Sequence, residues 1–84
     1  MVLPNQPVTL TVEQVKELNS TLSNMRHDIN NDLSLIVAAL ELLRHKPSTA
    51  ERMIATLLEQ PPKISGSLNK FSQEFERNFG IIRR

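Results

Sequence analysis

The chain has 84 residues, 39% of them hydrophobic, with three Phe and no Trp, Tyr or Cys, so a small domain without aromatic bulk or disulfides is expected to complete its core with a second chain. Ten Lys and Arg against nine Asp and Glu leave a formal charge of +1, too balanced for a surface built to hold a nucleic-acid backbone. The lack of Cys excludes disulfide scaffolds, thiolate zinc sites and thiol nucleophiles together, and fits a reducing compartment, so the cytoplasm is the expected location.

The first ten residues read as an extended arm, because Pro4 and Pro7 interrupt any regular element and no basic segment precedes an apolar one. The longest apolar stretch, Leu33 to Leu43, contains Ser34 and Glu41. It covers about half of the roughly 20 residues a bilayer requires, so no membrane span is expected.

A helix is predicted over about residues 12–45. Thr11 followed by Gln14 forms a capping box, in which each side chain satisfies a backbone N–H of the other residue. Apolar residues follow at Val15, Leu18, Leu22, Met25, Ile29, Leu33, Ile36, Leu40 and Leu43. Their three- and four-residue spacing is near heptad, with one irregular step from Ile29 to Leu33. Arg44, His45 and Lys46 complement the helix dipole at its end, which accounts for His45, and Pro47 forbids continuation.

A second capping box in Ser48-Thr-Ala-Glu51 predicts another helix over about 49–79, returning antiparallel after a short turn. Its seam is Ala50, Ile54, Leu57, Pro61, Ile64, Leu68, Phe71, Phe75 and Phe79. The phase survives Pro61-Pro62, so one helix kinked at 61–62 is expected in place of two. Gly80 is placed to cap it in the left-handed conformation. The fold class is therefore all-α: an antiparallel helical hairpin over 11–84, expected to dimerise into a four-helix bundle because two long amphipathic helices cannot cover both seams alone.

With Met25 and Ile29 on the seam, His27 points outward and Asn31 lies one turn along the same face. Asp28 adjoins the imidazole, where it can engage one ring nitrogen and leave the other free as a nucleophile. The local string is Arg26-His27-Asp28-Ile29-Asn30-Asn31-Asp32-Leu33. It resembles the H-box of sensor histidine kinases, the dimerisation and histidine-phosphotransfer domain in which a helix carries His-(Asp/Glu)-x-x-(Asn/Thr)-Pro-Leu. The resemblance implies that His27 is the phosphoacceptor, Asp28 the acidic general base, Asn31 the amide used in phosphatase chemistry and Leu33 a core leucine. It extends loosely over nearly the whole chain, because that domain is also a dimerising hairpin. The sequence departs from it at Asp32, where the family has Pro. Only four residues follow Gly80, so the ATP-binding domain of a kinase is expected to be lacking, and this chain alone is not expected to autophosphorylate.

The function expected on this resemblance is histidine phosphotransfer in a two-component phosphorelay, with His27 exchanging a phosphoryl group with the aspartate of a response-regulator receiver domain. No cofactor is expected on this chain, Mg²⁺ being expected on the partner receiver. The partners would be a second copy and a receiver domain or a kinase catalytic domain, with no nucleic acid and no membrane. The rivals are a non-catalytic dimeric module that regulates a kinase or response regulator by binding, and a truncated histidine kinase segment. A metal site at His27, Asp28 and Asp32 is not expected, since it lacks the i+4 second ligand that zinc or iron favours.

The outward stripe from His27 and Asn31 continues through Ser34, Leu35, Ala38 and Leu42, turning apolar toward the hairpin tip. Ser34, Leu35 and Ala38 are candidate partner-binding positions. With the turn near Lys46 and Pro47, equal rise along both helices brings residue 27 level with about residue 66. Gly66, flanked by Ser65 and Ser67, is accordingly expected beside the histidine, where a missing side chain would either admit a receiver domain or permit close helix packing.

Overall fold

The computed structural model describes residues 2–81. Residues 3–10 carry no regular secondary structure, and two long helices follow. The first, α1, spans Val12–His45. Its start is dictated locally: the Gln14 backbone N–H donates to Thr11 Oγ1 at 3.1 Å, and the Thr11 N–H donates to Gln14 Oε1 at 2.8 Å, so two donors that the helix cannot satisfy are satisfied reciprocally. At the other end Glu41 pairs with Arg44 at 3.7 Å and with His45 at 3.6 Å, which agrees with a structural role for His45.

The turn differs in detail from the expected one. A short 3-10 helix, Pro47–Thr49, precedes the second helix. The Ser48 to Glu51 box does not form: the cap is Thr49, which has no side-chain bond to the helix it opens, and its Oγ1 donates backward to the Lys46 carbonyl at 2.7 Å. Pro47 starts the 3-10 turn, where its fixed φ is already suited, and this shifts the cap by one residue.

The second helix, α2, spans Ala50–Phe79 and passes through Pro61 and Pro62 without ending. Gly80 terminates it at φ 65°, and the Ile81 N–H reaches the Glu76 carbonyl at 2.8 Å. That is the 6→1 bond of a Schellman cap, for which a glycine is the natural residue. The helices pack against each other as an elongated hairpin measuring 58 × 28 × 12 Å.

The packing corrects the seam. With Ile29 set at heptad position a, the residues that α1 turns inward are Leu18, Leu22, Met25, Ile29, Asp32, Ile36, Ala39 and Leu43, an unbroken alternation of a and d. From α2 the matching residues are Met53, Leu57, Gln60, Ile64, Ser67, Phe71, Glu74 and Asn78. The irregular step from Ile29 to Leu33 is thus absent from the hairpin. Asp32 takes the inner position at 7% exposure, whereas Leu33, expected in the core, is 47% exposed.

Leu33 belongs to a second apolar row. Leu33 and Leu40 on α1, with Ile54, Pro61, Leu68 and Phe75 on α2, all occupy position e, and every one is exposed. In an antiparallel pair the e rows lie along the same side, so these residues form one apolar face beside the inner seam. Each helix therefore carries a stripe wide enough for two contacts, of which the hairpin satisfies one.

The inner seam pays for this phase in polarity. Gln60 is 1% exposed; its Nε2 donates to the Thr56 carbonyl at 3.0 Å, and its Oε1 has no partner. Replacing Gln60 with Leu removes that unpaired acceptor at similar volume. The variant is expected to unfold at a higher denaturant midpoint, by about 1 kcal/mol; an unchanged or lower midpoint would show that Oε1 is already satisfied in solution.

Candidate functional site

His27 sits at the middle of α1, at heptad position f, directly away from α2. Its side chain is 83% exposed, and Nδ1 lies 3.6 Å from Asp28 Oδ1. Helical spacing alone produces this: with Ile29 and Met25 turned inward, the residue between them must face solvent. Nδ1 is the ring nitrogen near the carboxylate. At 3.6 Å the two groups are near enough for electrostatic attraction but are not hydrogen-bonded; a neutral imidazole with its proton on Nδ1 would present the Nε2 lone pair, the form required of a nitrogen nucleophile.

Asp28 is at position g, the row opposite the apolar e face, and on α2 the same row carries Lys63 and Lys70. The two g rows border a polar groove of about 430 Å³ lined by Asp28, Asn31 and Asp32 from α1 and by Lys63, Gly66, Ser67 and Lys70 from α2. The register expected from equal helical rise is thus the one observed, since Gly66 faces the turn of α1 that follows His27. Two of the three residues expected to carry chemistry, Asp28 and Asn31, line this groove, while His27 faces away from α2, so Gly66 is at its level but not beside the imidazole as expected.

The expected docking residues do not share one surface. Ser34 and Ala38 line a separate shallow groove with Asn30, Leu33 and Val37, and the Ser34 hydroxyl is turned back onto the Asn30 carbonyl at 2.9 Å. Leu35 is exposed on the g side, and Gly66 lies in the polar groove.

A Cβ built on Gly66 meets nothing within 4 Å. Within the hairpin, then, close helix packing does not require this glycine. Gly66→Ala is expected to raise stability by about 0.5–1 kcal/mol through helix propensity alone, read as a higher midpoint in thermal or denaturant unfolding. A loss of stability would place another chain against that spot.

Lys63, Ser67 and Lys70 complete the groove and belong to no motif in the linear sequence. The signal was nevertheless present: the arithmetic that brings Gly66 level with His27 brings its neighbours one turn either way to the same groove. Among the described residues no group of three or more His, Asp or Glu side chains is placed to hold a metal ion, and no helix is long and apolar enough to cross a membrane. In comparisons with known proteins, no protein-family model matches the chain, and no curated protein or solved structure is detectably similar to it.

Proposed function

We propose that the protein is a dimeric histidine phosphotransfer hairpin in which His27 exchanges a phosphoryl group with a carboxylate of a response-regulator receiver domain. The observation that carries this reading is the disposition of His27: 83% exposed on the outer face, with Nδ1 3.6 Å from Asp28 Oδ1. In the forward step the Nε2 lone pair attacks the phosphorus of an aspartyl phosphate. The N–P bond forms, the O–P bond breaks, and the electron pair leaves with the aspartate carboxylate. Asp28 offsets the positive charge that develops on the ring, and the reverse step returns the phosphoryl group to the carboxylate. Asn31, one turn along, is positioned to orient a water against a partner's phosphoaspartate.

The apolar e face supports the dimer. Six e-row residues, joined by Val37 and Leu58 at the neighbouring b positions, present an exposed apolar strip, interrupted on α1 by Asn19 and Arg26 of the same row. A second copy related by a twofold axis brings the identical strip against it and forms a four-helix bundle. His27 and the polar groove remain outside this interface, accessible to the receiver.

The test is incubation of the protein with an isotopically labelled phospho-receiver, or with a histidine kinase catalytic domain and labelled ATP. Acid-labile, base-stable label on this chain is the expected result. Stable binding of the receiver with no label at all would favour the non-catalytic interaction module.

A further inference from the structure

Three features of different origin meet at one level of the hairpin, just beyond His27. On α1 the apolar spacing changes phase: up to Ile29 it follows positions a and d, through Leu18, Leu22 and Met25, and from Leu33 it follows e and a, through Ile36, Leu40 and Leu43. An extra four-residue step of this kind is a stutter, which alters how one helix winds about another. On α2, Pro61 and Pro62 have no backbone N–H, so the carbonyls of Leu57 and Leu58 lose their usual helical donors. The register that brings Gly66 level with His27 brings Pro61 level with Asp32. Between the two irregularities lies Gln60, 1% exposed with Oε1 unpartnered.

On the tip side of that level each helix offers two seams. The structure turns Asp32, Ala39, Met53 and Gln60 inward at position d and leaves Leu33, Leu40, Ile54 and Pro61 exposed at e. At about 100° per residue, turning each helix about 50° on its own axis exchanges the second set for the first, while Ile36, Leu43 and Leu57 at position a stay between the helices. The exchange takes a carboxylate and an unsatisfied amide out of the seam and covers an apolar row that otherwise faces water. On the base side α1 has no such alternative, since its e positions hold Asn19 and Arg26 while Leu18 and Met25 hold d. Rotation is therefore confined to the tip half, and the joint falls where the stutter of α1 faces the two prolines of α2.

We propose that the tip half of the hairpin, residues 33–60, is a two-position element. One position is the packing described above, with the e row exposed; in the other, Leu33, Leu40, Ile54 and Pro61 close against one another within a single chain. The single chain occupies both, and pairing through the e rows draws it into the first, because a second copy binds that row only while it is exposed. This coupling rests on the dimer proposed above, whereas the two packings do not. Asn31 lies inside the joint and His27 just before it, so association fixes the angle between them.

The chain has no Cys, so disulfide formation in paired cysteine variants of the full chain reads the packing directly, the bond requiring Cβ atoms within about 4.5 Å of each other. Leu40→Cys with Ile54→Cys reports the rotated packing. Leu35→Cys with Thr56→Cys gives the background, from the g rows that flank the seam on its other side, and Met25→Cys with Ser67→Cys reports the base half. In dilute sample, below the association range found by sedimentation for each variant, the first pair should close within one chain at least about ten times faster than the second. In concentrated sample its intrachain rate should fall about tenfold or more, while the rate of the base pair stays constant. Adding Gln60→Leu, which removes the amide that the exposed-row packing buries, should suppress the first pair at every concentration, circular dichroism confirming that the variant remains helical. A protein that never associates but still closes the first pair fast would discard the dimer and keep the joint. Closure of the first pair no faster than the second in dilute sample, or an equal concentration dependence in the base pair, would overturn the joint itself.

Discussion

His27→Gln is expected to reduce phosphoryl labelling of the protein to background while leaving its helical circular dichroism and its association state unchanged. Glutamine fills a comparable volume and is a good helix former, and the side chain it replaces touches solvent over 83% of its surface, so the substitution removes the nucleophilic nitrogen and little else. The geometry separates the neighbours by role. Asp28→Asn keeps the shape beside Nδ1 but removes the charge that stabilises a developing imidazolium, and labelling should slow by about a hundredfold or more. Asn31→Ala leaves the imidazole as it is, so labelling should proceed while hydrolysis of a partner's phosphoaspartate declines. Undiminished label on His27→Gln would remove this residue from the chemistry altogether.

The second large effect concerns the exposed e face. Leu33→Asp and Leu68→Asp change residues that the isolated hairpin leaves about half exposed, so each should cost the single chain little. In a twofold dimer the same change buries an unpaired carboxylate twice, once from each chain, at about 3–5 kcal/mol for each buried charge left without a partner. The dimer dissociation constant should rise by at least about a hundredfold, measured by sedimentation equilibrium. Leu35→Asp, on the opposite g side, serves as the contrast and should leave association unchanged. Equal effects from Leu33→Asp and Leu35→Asp would show that the e face is not the interface.

The contrast between Leu33 and Asp32 also explains what could and could not be read from the linear chain. Helix limits were legible because local chemistry sets them: the Thr11 and Gln14 box, the block at Pro47 and the left-handed Gly80 act within a few residues. The phase of the seam was not, because apolar periodicity averages every contact a helix will make. Leu33, Leu40, Ile54, Leu68 and Phe75 belong to the stripe but not to the face that meets the other helix of the same chain. Their weight draws the apparent seam toward e, whereas Asp32 and Gln60, which do face inward, add nothing to an apolar period. The Ser48 box failed for a related reason, since Pro47 favoured a competing local structure that the same few residues could also adopt. The level of Gly66 followed from helical rise alone, which needs no knowledge of packing. The lysines on either side of it carried no motif, and they acquire meaning only once the g rows are seen to converge on Asp28.

The placement of the polar groove and the apolar strip on opposite flanks of one hairpin has a consequence for stoichiometry. His27, Asp28 and Asn31 all come from a single chain, and the proposed twofold pairing through the e rows would leave the two copies of this constellation on opposite exteriors of the bundle. In such a dimer neither subunit would lend a group to the other's site. In mixed populations of wild-type protein and a His27→Gln, Asp28→Asn double variant, transfer capacity should therefore fall in direct proportion to the wild-type fraction. Partly defective chains, one carrying His27→Gln and the other Asp28→Asn, should be unable to restore each other on mixing.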